Sequence, residues 1–161
     1  NEVGGRRLLD MLGWAALLPQ LLAGLGAVFA ATGVGDIVAA LIGQVIATDS
    51  VVVCVLAYGL GMVAFTMIMG NAFAAFPIMT AGIGLPLLVH LHGASPAVVG
   101  AIGMFSGYCG TLMTPMAANF NIVPAALLEL PDKNAVIRVQ IPTAAALLVV
   151  NIFLMYFLMF R

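Results

Sequence analysis

Five polar side chains stand out because nearly everything around them is apolar: Asn71, Thr111, Thr114, Asn119 and Asn121. They fall in two interruptions of hydrophobic sequence, MGNAFAAFP over residues 69–77 and GTLMTPMAANFNIVP over residues 110–124. Asn is a strong helix N-cap, and Gly, Asn and Pro punctuate the chain, so each interruption reads as one helix ending and another beginning. A newly opened helix presents unpaired N–H groups and a positive dipole end, which suits a carboxylate. Carbonyls ending the preceding helices, near Gly70 and Gly110, suit a cation such as sodium. This is chemistry for holding a small ion, not for breaking a bond.

Catalytic alternatives fail for want of partners. Ser106 in GMFSG would need a base, and the two histidines, His90 and His92, sit in a stretch, residues 90–96, that reads as an aqueous loop. Spaced two apart with no third ligand beside them, they do not form a metal site. Cys54 and Cys109 lie in apolar sequence and match neither a disulfide framework nor a zinc spacing. No paired carboxylates lie in the apolar stretches for acid–base work. The expectation is therefore no enzyme, no metal and no cofactor, with a coupling cation, sodium or a proton, left open.

The elements that position these residues must lie in a bilayer. Of 161 residues, 64% are hydrophobic and 7% charged, against about 25% charged in a soluble domain. No Lys, Arg, Asp or Glu occurs from residue 50 to residue 128. Such a run fits an all-α integral membrane protein. A net charge of −1 with five basic residues gives no footprint for nucleic acid. The chain begins at Asn1 with no cleavable signal, which reads as a piece of a longer membrane protein.

Five segments follow along residues 1–161. Residues 8–32 form a span with a kink at Pro19. Residues 34–48 set Ile37, Val38, Leu41, Ile42 and Val45 against Asp36 and Gln44, the pattern of an interfacial amphipathic helix. Residues 51–90 read as a re-entrant helical hairpin, because its Gly70–Asn71 midpoint has no charge to hold a crossing loop in water. Residues 97–130 form a broken span whose Gly100, Gly103, Gly107 and Gly110 share one face for close packing. Its second half opens between Asn119 and Pro124 and runs to Leu130. Residues 139–160 form the last span. Arg6 and Arg7 before the first span, and Lys133 and Arg138 before the last, place both loops in the cytoplasm and residues 34–50 outside.

This order resembles one repeat of the ion transporter superfamily, whose divalent anion/sodium symporters carry serine-asparagine-threonine at hairpin tips and a proline-rich, asparagine-containing break in the following helix. Here Gly70 and Ala72 replace the serine and threonine, so two hydroxyl ligands of the sodium site are missing. More closely, GNAFAAFP, SGYCGTLMTPMAANFNIVPAALLELPDK and NIFLMYF resemble a bacterial membrane family associated with 5-oxoproline (pyroglutamate) transport. The resemblance implies an inverted-repeat unit, the C-terminal half of a protein about twice this length. It further implies an N-terminal repeat and a second membrane subunit as partners, with assembly into homo-oligomers open, in the bacterial cytoplasmic membrane.

The expected function is a half or subunit of a secondary transporter that moves a small organic monoanion, 5-oxoproline, by alternating access. Asn71, Thr111, Thr114, Asn119 and Asn121 are the expected substrate ligands, and Gly70 and Gly110 the backbone cation ligands. The lack of Lys and Arg at midplane limits the charge these groups can balance to about one carboxylate. The rival readings are a non-transporting assembly subunit and a passive anion channel.

Overall fold

The structure, a computed structural model, describes residues 49–160 together with scattered positions between 20 and 41. The span over 8–32 and the interfacial helix over 34–48 fall largely outside the described residues. Every regular element from residue 49 onward is a helix. We label them α1 (Val51–Met69), α2 (Ala72–Met79), a π-helical segment π1 (Thr80–Leu91), α3 (Pro96–Met113), α4 (Ala118–Leu127) and α5 (Ala135–Leu158).

Among the described residues, four helical stretches are long and apolar enough to cross a membrane: Val51–Met69, Ala72–Leu91, Pro96–Leu127 and Ala135–Leu158. At 1.5 Å per residue, α1 is about 28 Å long, close to the hydrocarbon thickness. The chain is thus a multi-pass membrane protein by the length and composition of its helices.

Local chemistry sets the helix ends. Gly70 adopts φ 73°, a left-handed conformation, and its N–H bonds the Thr66 carbonyl at 2.7 Å, which closes α1. Asn71 is extended, and its Oδ1 accepts from Phe73 N at 2.7 Å, which opens α2. The N-cap read from the sequence is therefore present. α2 runs directly into π1, whose wider turn contains Gly82, Gly84 and Pro86. Pro96 starts α3 from its first turn. α3 ends at Met113 because Thr114 precedes Pro115, and a residue before proline is driven to extended backbone; Thr114 has φ −117° and ψ 136°.

Two boundaries differ from the sequence reading. The helix after the break starts at Ala118 and carries Pro124 inside it, so the interruption is the short stretch 114–117. His90 belongs to the last turn of π1, and His92 packs with its Nε2 3.6 Å from Cys54 Sγ, so the connection between π1 and α3 shrinks to residues 93–95.

α3 is the central helix, between α1 and α5. Its glycine face lies on α1 as the spacing predicts. A Cβ at Gly103 would overlap the buried Tyr58 ring, one at Gly107 would come 2.8 Å from Met62 Cε, and one at Gly110 would come 2.7 Å from the Val63 carbonyl oxygen. Gly100 is looser, with Phe76 Cζ at 3.7 Å. The main core joins Cys54, Val55, Tyr58 and Met62 of α1 to Met79, Ile83, Val99 and Ile102, and to Met155 of α5. Ser95 N donates to Met159 O at 2.7 Å, fixing the end of α5 beside the open end of the α1–π1 hairpin. Gly35 comes against Ala81 and Gly82 of π1.

Candidate functional site

The hairpin tip and the broken helix, some 45 residues apart in sequence, meet. Gly70 lies so close to Met116 that a Cβ there would be 2.7 Å from the Met116 carbonyl oxygen. Thr114 Oγ1 donates to Met67 O at 2.9 Å and accepts from Met116 N at 3.2 Å, which pins the break to the last turn of α1. Around this junction is a cavity of about 200 Å³ lined by Met69, Gly70, Asn71, Met116, Ala117, Ala118, Asn119 and Phe120.

Two helix N-termini face that cavity. In α4 the N-cap is Ala117, which supplies no side-chain cap. Phe120 N and Asn121 N bond Ala117 O at 3.0 and 3.1 Å, so the N–H groups of Ala118 and Asn119 precede the first intrahelical acceptor. In α2 the Asn71 side chain uses its oxygen on Phe73 N, which leaves its amide nitrogen as a donor beside Gly70. No Lys, Arg, Asp or Glu from residue 50 to 128 opposes these dipole ends. The junction therefore offers N–H donors and partial positive charge.

The five polar residues divide. Asn71 and Asn119 line the cavity. Thr111, Thr114 and Asn121 are buried beside the break and engaged with backbone. Thr111 Oγ1 donates to Gly107 O at 3.4 Å, and Asn121 Nδ2 donates to Thr111 O at 2.9 Å and Thr114 O at 2.7 Å. Gly70 is at the cavity, whereas Gly110 lies within α3 against Val63 and Thr66. The lining residues that sequence reasoning missed are Met69, Met116, Ala117, Ala118 and Phe120. Pro115 was the available signal, because it fixes where α3 ends and hence which backbone is exposed.

Other features offer less. A larger groove of about 440 Å³ between α1 and α5 is lined by Val52, Val55, Leu56, Val149, Ile152, Phe153, Tyr156 and Phe157. With one hydroxyl among eight residues it suits an acyl chain rather than an ion. Ser106 is fully buried with its hydroxyl on Ile102 O at 3.0 Å. Among the described residues no three His, Cys, Asp or Glu side chains come together to hold a metal.

No curated protein and no solved structure matches the chain. A family described as a protein of unknown function, DUF979, matches residues 2–160, and with that coverage the chain belongs to this family.

Proposed function

We propose that this chain is one repeat of a secondary transporter that moves a small organic monoanion by alternating access, with 5-oxoproline as its first candidate substrate. The observation that carries the reading is the convergence of two helix N-termini, α2 and α4, on a cavity that also presents Asn71 and Asn119. Paired half-helices of this kind bind anionic groups in transporters. The cavity, at about 200 Å³, is below the roughly 300 Å³ at which drug-sized ligands begin, so the ligand is small. Two helix ends supply about half a charge each, enough for one carboxylate. The lactam of 5-oxoproline would place its N–H and C=O against the Asn side chains. The substrate name rests on the family resemblance.

The depth of the junction supports a re-entrant hairpin. A Cβ on Gly59 would lie 3.2 Å from Ile152, so these residues set the register of antiparallel α1 and α5. From that level α1 has ten residues left to Met69, while α5 extends seventeen back to Ala135. The tip therefore stops about 10 Å short of the start of α5. In this reading an N-terminal repeat and a second membrane subunit complete the transporter in the bacterial cytoplasmic membrane.

Uptake by the full-length protein in proteoliposomes tests the proposal, with candidate ions supplied one at a time. Unlabelled 5-oxoproline should outcompete succinate and neutral amides, and Asn71→Ala and Asn119→Ala should each lower uptake about tenfold or more, the worth of about one lost hydrogen bond to a charged group. Normal uptake by both normally inserted variants would remove the site assignment. Preference for a dicarboxylate without any coupling cation would remove the charge argument.

A further inference from the structure

Asn121 has committed both hydrogens of its side-chain amide. The residue is fully buried, and Nδ2 donates to the carbonyls of Thr111, in the last turn of α3, and Thr114, its C-cap. Those are oxygens that a helix end leaves without intrahelical donors. At membrane depth they need either a donor or a cation. The fourth residue of α4 thus reaches back across the break. Asn121 N also bonds Ala117 O, so this side chain and the first turn of α4 move together.

We propose that Asn121 is a positioning residue that takes the place of a cation at this break. Its two N–H groups neutralise the α3 carbonyls and hold the α4 N-terminus over the cavity without a bound metal ion. The cavity's occupant depends on the anion reading above; the fastening does not. Oδ1 of Asn121 is buried with no hydrogen-bond partner among the described residues. Turning the amide over would bring that oxygen onto two carbonyl oxygens, an arrangement only a cation or a proton could hold. In the orientation found, N–H donors satisfy both carbonyls.

The chemistry gives a gain-of-dependence test. Asn121→Asp keeps the size and replaces both donors with an acceptor facing two acceptors. Relief comes from protonation, or from a small cation bridging three oxygens. The joint should then become dependent on ions that the native joint does not need.

The experiment uses the full-length protein with Cys54 and Cys109 replaced and a reporter cysteine at Ala118, which is exposed in the first turn of α4. Its maleimide labelling rate is divided by that of a cysteine at Lys133, an exposed loop position, to remove the intrinsic pH effect on thiols. With Asn121 present, the ratio should be the same in sodium, lithium and choline chloride. With N121D it should rise about tenfold in choline at alkaline pH, the loss of roughly one or two buried hydrogen bonds. Sodium, lithium or mild acid should bring it back.

An N121D ratio equal to the native one in choline at alkaline pH overturns the proposal. So does a sodium response in the native protein that disappears in Asn121→Leu, because a cation would then occupy the joint. If N121D does not reach the membrane, Asn121→Gln, which keeps two donors, is compared with Asn121→Leu. Gln should label like the native protein and Leu faster, and equal rates overturn the proposal. Protection of the Ala118 cysteine by 5-oxoproline is scored separately. Its absence alongside an ion-dependent N121D defeats the anion reading and leaves the fastening standing.

Discussion

Gly70 meets two demands at one position. Its φ of 73° is one that side chains with a Cβ adopt at a cost of about 1–2 kcal/mol. The Met116 carbonyl oxygen also occupies the space a Cβ would take, 2.7 Å away, and such overpacking costs about 1–3 kcal/mol. Gly70→Ala should therefore destabilise the folded protein by about 2–5 kcal/mol. Asn71→Ala removes one cap and should cost only about 1 kcal/mol, while lowering uptake more. Thermal unfolding of the full-length protein in detergent checks the order: a Gly70→Ala melt no lower than that of Asn71→Ala would mean the tip does not rest on Met116. The Gly70–Asn71 turn was legible in the sequence because Gly and Asn act locally. Met116 as its partner was not, since nothing local links positions 46 residues apart.

At the scale of elements, α3 shows how far spacing carries. The repeat of glycines at residues 100, 103, 107 and 110 predicts a face for close packing, and three of the four lie against α1 with no room for a methyl group. Gly103→Ala should push α3 off the buried Tyr58 ring and lower stability by about 1–3 kcal/mol. Gly100→Ala, whose nearest neighbour is Phe76 Cζ at 3.7 Å, should be neutral or stabilise by about 0.5–1 kcal/mol through helix propensity. Equal melting temperatures for the two variants would remove the packing explanation. The break was legible in its existence and misplaced in its position. The density of Thr and Asn over 111–121 drew the boundary late, toward Pro124, whereas Pro115 sets it through the extended conformation of Thr114. Thr114 and Asn121 are expected ligands because they gather at the break; that their side chains also fasten backbone, Thr114 to Met67 O and Asn121 to Thr111 O and Thr114 O, only the fold reveals. The π-helical form of residues 80–91 left no trace in the apolar pattern, because a run apolar on all sides has no period to read.

For the whole molecule, the decisive quantity is where the tip and break sit between the two membrane faces. α5 is the longest described helix; its first turn carries Arg138, paired with Asp132 of the preceding loop that also holds Lys133, and in the proposed reading this end lies at the face with the basic residues. The register set by Gly59 and Ile152 leaves the tip about 10 Å short of the start of α5 and about 6 Å short of Arg138, the last charge before the apolar run. Met116 is on the break and exposed at the cavity, while Lys133 is in the loop. In full-length protein lacking Cys54 and Cys109, a cysteine at Lys133 should react quickly with an impermeant reagent added from the cytoplasm. A cysteine at Met116, exposed in this half and covered in the proposed full-length transporter, should react about tenfold more slowly, as expected for a group reached through transient opening, and should be slowed further by substrate. Sidedness gives the sharper discrimination. Two full crossings would put the Gly70–Asn71 turn in cytoplasmic water, and Met116 beside it would then label as fast as Lys133 whether or not substrate is present. That outcome would remove the re-entrant hairpin and, with it, the occluded site that alternating access requires.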